Sequence, residues 1–121
     1  MEELIARRRI KPSDLNPANR LFGGQLLAWI DEHAATYAMY TLKTASVVTA
    51  RISEVNFIHP VCQGDNLEFY ASTLKTGKTT LVVRMRVADN RFDGPSENVA
   101  DCTITFVCID NNGKPSPHGL R

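Results

Sequence analysis

The sequence predicts one α+β domain, a central helix against an antiparallel sheet of about five strands, and three observations carry that expectation. Residues 23–42 contain no proline, many good helix formers and a nearly continuous apolar surface. From residue 47 onward the chain alternates apolar and polar side chains with period two, as strands do. At 121 residues, with 43% apolar and 22% charged side chains, it is one domain's worth of ordinary globular sequence, residues 1–121 throughout. Disorder, collagen-like repeats and a multi-domain architecture are excluded.

Leu4 to Ile10 is a candidate first strand, in which the Arg7 to Arg9 run reads as a solvated edge or a weak anion site. A polar loop, Lys11 to Arg20, follows. The helix opens at Gly23-Gly24, where the first backbone N–H groups have no intrahelical acceptor, and runs to about Leu42. Val47 to Ile58 is rich in β-branched residues and stops before Pro60. Leu67 to Leu74 comes after the turn residues Gln63-Gly64-Asp65. In the next strand Leu81, Val83, Met85 and Val87 share one face, opposite Val82, Arg84 and Arg86, and Val99 to Ile109 closes the set. Thr76-Gly77-Lys78 reads as a hairpin turn, Asp93-Gly94-Pro95 as a looser one, and Asn111-Asn112-Gly113 as the end of the last strand.

Composition removes several function classes. Fourteen Lys and Arg against thirteen Asp and Glu leave a net charge of +1, so no whole-molecule field points to nucleic acid or an anionic membrane. An anionic ligand is then held by local groups. No apolar stretch resembles a signal peptide or approaches the roughly 18 residues of a membrane span, and the expected location is the cytoplasm. Cys62, Cys102 and Cys108 form an odd set without Cys-x-x-Cys spacing, which fits reduced thiols. Cys102 and Cys108 share a predicted strand face with Ile104 and Phe106 and read as packing. Gly77-Lys78-Thr79 resembles the end of a phosphate-binding loop, but Ser72 stands where that pattern needs glycine and a strand follows. His33, His59 and His118 are scattered, and His59-x-x-Cys62 alone does not make a zinc site, so no metal is expected. A Gly-x-Ser-x-Gly nucleophile elbow is also missing.

Asp31 is the most informative residue. Its helical neighbours at three and four residues are Leu27, Ala28, Ala34 and Ala35, so a carboxylate falls on an apolar side. Burial there is expected to raise its pKa and to make it a useful base or nucleophile. A carboxylate bonded to a neighbouring strand or facing a subunit interface would fit the same pattern. Gly23 and Gly24 supply a complement, since bare N–H groups at a positive helix end favour a developing oxyanion. Easy packing would equally explain the glycines. Trp29, flanked on the wheel by Gln25, Glu32 and His33, suits core packing or an oligomer contact.

The string from Asp14 to Leu27 (DLNPANRLFGGQLL), followed by Ile30-Asp31-Glu32 and Ala34-Ala35, resembles the helix signature of hotdog-fold acyl-CoA thioesterases. Val47-Val48-Thr49-Ala50, Val55-Asn56-Phe57-Ile58-His59-Pro60 with Gly64-Asp65, Gly77-Lys78-Thr79, and Thr105-Phe106-Val107 with Asp110 and Gly113 are similar to the strand motifs of that family. The resemblance covers roughly residues 9 to 114. It implies a sheet wrapped around the helix, a dimer with active sites between subunits, and, in the resembling branch, a hexamer made of three dimers.

The resemblance further implies hydrolysis of acyl-CoA without any cofactor. Asp31 would be the catalytic carboxylate, Asn16 the asparagine that positions water or the thioester, and Thr49 a supporting hydroxyl. Gly23 and Gly24 would donate to the thioester oxygen. Phe22 stands where many relatives carry histidine, which alters the oxyanion loop. Gly77, Lys78 and Thr79 at the hairpin tip would touch the CoA moiety, with Lys114 a weaker candidate, although a plain solvated turn fits that spacing as well. The rival reading is a non-catalytic hotdog module that binds acyl-CoA. A costly carboxylate in an apolar setting disfavours it.

Overall fold

The computed structural model describes residues 1–90, 92 and 94–119. Strand β1 (Glu3–Arg9) leads through a 3-10 turn at Pro12–Asp14 into helix α1 (Gly23–Leu42), and β2 (Val47–Phe57), β3 (Asn66–Thr76), β4 (Thr80–Asp89) and β5 (Glu97–Cys108) follow. They pair antiparallel in the order β1-β3-β4-β5-β2. The helix bounds fall where the sequence puts them, the β3–β4 turn at Gly77-Lys78-Thr79 lies one residue beyond the expected Thr76-Gly77-Lys78, and strand ends move by one or two residues. Asp93, part of the expected loose turn, lies outside the described residues.

The sheet curls around α1 and buries it along one line. Leu26, Ile30, Ala34, Ala38 and Leu42 recur every four residues and are all buried, with Trp29 beside them. Against them stand Leu67, Phe69 and Ala71 of β3, Leu81, Val83, Met85 and Val87 of β4, and Cys102, Ile104 and Phe106 of β5. Ala34 and Ala38, in the middle of the line, let the helix lie close to large strand residues. This is the hotdog arrangement that the resemblance implies.

The helix is less enclosed than its apolar surface suggests. Ala28 is exposed, Leu27, Asp31 and Ala35 are half-buried, and Tyr40 is 81% exposed, because the sheet covers only one side of α1. Asp31 therefore does not reach the desolvated setting expected of it within one chain. Trp29 belongs to the core, and the guanidinium of Arg8 lies 4.2 Å from the centre of its ring. Cys102 packs as expected, and burial, with Asp101 and Asp31 nearby, pushes its thiol up to about 11.

Size scaling gives roughly 6,500 Å² of surface for a folded chain of this mass. The structure exposes 7203 Å², and of its exposed large apolar residues Val48, Phe57 and Ile58 lie on or just after edge strand β2, with Phe22, Tyr40, Leu74 and Phe92 elsewhere. The opposite edge, β1, is short and carries charge. Arg7 pairs with the buried Glu68 at 2.9 Å, and this hydrogen bond, with those from Tyr70 and Asn90, holds the Glu68 carboxyl below the usual range.

His33 faces β1 from α1, with its ring 4.8 Å from that of Phe69 and its buried Nε2 without a hydrogen-bond partner among the described residues. Burial is the largest cause holding its pKa below the ordinary 6.5, Arg8 acts the same way, and Glu32 opposes. The unfolded chain thus binds a proton that the folded chain resists, and stability falls as pH drops below about 6.5. Replacing His33 with Phe should flatten this limb, so that urea midpoints at about pH 7.5 and 5.5 differ less than in the native chain.

Candidate active site

The approach of α1 to edge strand β2 brings two of the predicted site residues together. Thr49 donates from Oγ1 to Asp31 Oδ1 at 2.7 Å. Both side chains sit where the helix flank meets a strand that has a neighbour on one side only. A break in the β2–β5 register immediately follows Thr49, and a second spans Ser53 to Asn56, with Glu54 at φ 54°. These bulges bend β2 about the helix. Phe57, beyond the second bulge, lies over the start of α1.

That start has the features of an anion site. Phe22 caps α1 in an extended conformation with no side-chain hydrogen bond, and the N–H groups of Gln25 and Leu26 already bond to its carbonyl. The N–H groups of Gly23 and Gly24 precede the helical ladder and have no protein acceptor among the described residues. A Cβ at Gly24 would lie 2.6 Å from the Phe22 ring, so that position admits only glycine without displacing Phe22. A Cβ at Gly23 would sit 3.7 Å from the Phe57 ring, an ordinary contact. Beside Gly23 opens a mostly apolar pocket of about 290 Å³, walled by Leu21, Leu26, Phe57, Ile58 and Val61 among others.

Asn16 stands in the loop that feeds this end of the helix. Its Oδ1 accepts from the N–H of Ala18 at 2.9 Å and of Arg20 at 3.1 Å, and its own N–H donates to the Arg20 carbonyl. The residue folds the loop as an Asx turn, with Leu15 and Leu21 bridged above it. Its amide nitrogen has no partner among the described residues.

The remaining predicted residues lie apart from these. Gly77, Lys78 and Thr79 form the β3–β4 turn, and Gly77 N–H donates to the Thr80 carbonyl at 3.0 Å. The turn is nonetheless at the same end of the sheet as Thr49. Thr49 pairs with Phe106, Phe106 with Leu81 and Leu81 with Thr76, so one register row runs from the Asp31 partner to the foot of the hairpin. Sequence reasoning noticed Phe57 only as part of a strand motif. Its place over Gly23 depends on a bulge that strand periodicity does not announce. His59, paired with Glu97 at 3.3 Å, is one of the residues lining the pocket beside Gly23.

The model of the thioesterase superfamily matches residues 18–91. An uncharacterised acyl-CoA thioester hydrolase of Bacillus subtilis is 33% identical over 117 residues, covering 95% of this chain and 67% of the relative. The acyl-CoA thioester hydrolase YciA of Salmonella typhimurium is 29% identical over 119 residues, covering 95% and 89%. Among solved structures, a hexameric thioesterase of Yersinia pestis superposes with a TM-score of 0.88 at 30% identity, over 95% of this chain and 93% of that one. An acyl-CoA hydrolase of Staphylococcus aureus bound to butyryl coenzyme A gives 0.86 at 32% identity, over 97% and 70%. A fold, a helix signature and full-length similarity thus agree, and the chain belongs to the thioesterase superfamily.

Proposed function

We propose that this protein hydrolyses acyl-CoA thioesters to the free acid and CoA, at a site completed by a second copy of itself. The observation that carries the reading is the 2.7 Å hydrogen bond from Thr49 to Asp31 at an unpaired sheet edge. The names of the relatives and the butyryl-CoA complex support the substrate class. Hydrolysis requires only water as co-reactant, and the reading includes no cofactor.

The hydrogen bond from Thr49 fixes the plane of the Asp31 carboxylate, leaving the second oxygen for chemistry. That oxygen can take a proton from water as the water attacks the thioester carbon and the C–S bond then breaks to release CoA thiolate, or it can attack the carbon itself, expelling CoA thiolate and forming a mixed anhydride that water then opens. The N–H groups of Gly23 and Gly24 hold the oxyanion in either route, and the Asn16 amide nitrogen donates to water or to the thioester. The apolar pocket beside Gly23 takes the acyl end.

One helix cannot direct both halves of this machinery at a single carbonyl. Gly24 and Asp31 are seven residues apart, about 10 Å along the axis, whereas a reacting atom lies about 3 to 3.5 Å from its nucleophile. A two-fold axis that sets two α1 helices antiparallel removes the mismatch, since Asp31 of one copy then faces the glycines of the other. Edge strand β2, eleven residues long with Val48 and Phe57 exposed, is the edge suited to pair in that way, rather than the shorter β1 with its three arginines. Several structural relatives are hexamers, which a dimer of this kind can build.

The CoA nucleotide fits the β3–β4 turn. From Thr49 to Leu81 is two strand spacings, about 10 Å, and Lys78 lies some three residues, about another 10 Å, beyond. A pantetheine arm covers a separation of that order. Lys78 is exposed and can reach a phosphate, and Gly77 and Thr79 shape the turn that presents it.

Asp31→Asn should abolish turnover in a folded oligomer, since a positioned base contributes about 10²- to 10⁴-fold. Retention of more than about a tenth of native turnover would take the catalytic role away from Asp31. Asn16→Ala should cost roughly 1 to 2 kcal/mol of stability through the lost loop acceptor and also slow turnover. Asn16→Asp, which keeps that acceptor, should restore the melting temperature and leave turnover slow. Equal rates for Asn16→Asp and the native enzyme would place the amide outside the site. Light scattering should find at least a dimer at micromolar concentration, and a fully active monomer would exclude the shared site.

A further inference from the structure

The β3–β4 tip is held more firmly than an exposed two-stranded turn requires, and the holding segment comes from the end of the chain. After β5 the chain turns at Asp110, whose Oδ1 accepts from the N–H groups of Asn112 and Lys114. Pro115 then bridges to Ile109, and Ser116 N–H donates to the Cys108 carbonyl at 2.8 Å. His118 ends this strap on the hairpin. Its backbone N–H donates to the Lys78 carbonyl at 3.2 Å, and its ring Nε2 lies 3.1 Å from the Thr80 carbonyl.

Three successive carbonyls of the tip are therefore tied down. Lys78 bonds to His118, Thr79 to the N–H of Cys108 at 2.7 Å, and Thr80 to both Gly77 and His118. The Lys78 side chain stays exposed. Loop tips are ordinarily among the more mobile parts of a fold. Pro115 and Pro117 lower the entropic cost of laying the strap down, because their φ is already restricted. A bare hairpin needs none of this, whereas a tip that must present a cation at a fixed place does.

We infer that His118 is a positioning residue for the CoA nucleotide, acting through the backbone of Lys78 and Thr80. This rests on the reading of Lys78 as a phosphate contact. With Nε2–H donating to Thr80, the ring performs the role in its neutral Nε2–H form as well as in its charged form. The role is thus one of geometry, and Gln, whose amide also carries a donor, can substitute for it.

The test measures kinetics of His118→Ala, His118→Gln, Lys78→Ala and the double alanine variant on butyryl-CoA and on butyryl-pantetheine, which lacks the nucleotide. His118→Ala and Lys78→Ala should each raise KM for the CoA ester about two- to fivefold, the size of an exposed ion contact, with kcat nearly unchanged. The double variant should be no worse than Lys78→Ala, because both lose one contact. His118→Gln should restore KM, and KM for the pantetheine ester should not move. Native KM in His118→Ala alongside a raised KM in Lys78→Ala would overturn the positioning role and leave the phosphate contact standing. Native KM in Lys78→Ala would remove the phosphate contact and the role of His118 with it. A loss on both esters would make the strap a general stabiliser and reject the inference. Should His118→Ala fail to fold, His118→Phe keeps a ring without the donor and must show the same split, and if neither variant folds the inference is rejected as well.

Discussion

Everything in this protein that bears on chemistry depends on how closely α1 can lie in the concave face of the sheet. The contact line Leu26, Ile30, Ala34, Ala38, Leu42 sets that distance, and its two alanines are the reason the helix can come within reach of β2. A large residue at Ala34 would lift α1 off the strands, as overpacked cores do at a cost of about 1 to 3 kcal/mol. The 2.7 Å contact between Thr49 and Asp31 would be among the first to open. Because a helix is rigid, the same line also fixes the direction of the Gly23-Gly24 end, so packing in the middle of α1 determines both halves of the proposed site.

The two edges of the sheet have been given opposite characters by simple means. On β1, Arg7 is drawn to Glu68 and Arg8 to the Trp29 ring, so two residues of the Arg7 to Arg9 run are engaged by the fold. The outer face of the sheet continues this pattern. Arg86 binds Glu2 through two nitrogens, at 2.7 and 2.9 Å, and stacks 4.4 Å from the centre of the Tyr70 ring. Such a face is polar and internally satisfied. At β2, Asn56 donates to Asp101, which also pairs with Arg84, but Val48 and Phe57 remain in the open. Charge disposition on a molecule of net charge +1 thus selects which edge is left for a partner.

Much of the architecture was legible because it is local. The proline-free run from Gly23 to Leu42, the period-two alternation of β4, and the glycine at the β3–β4 turn each follow from backbone preferences of a few neighbouring residues, and the structure keeps them almost residue for residue. The cysteine reading also held, since Cys102 and Cys108 are six apart in a strand and must share a face. The helix burial pattern misled. Apolar composition around Asp31 suggested enclosure, but composition reports what a surface would gain from burial and does not say whether one chain provides the cover.

By itself the sequence determined the order of elements, the faces they bury, and the residue types available for catalysis, because periodicity and turn chemistry act over a few residues. Only the tertiary structure decided that β2 lies at the far edge beside β5, that Thr49 meets Asp31, that Phe57 lies over Gly23, and that His118 ends on the Lys78 turn. These contacts join residues 18 to 61 positions apart. They follow from strand order and register, which are chosen by the burial of whole faces against one another and leave no local pattern in the chain.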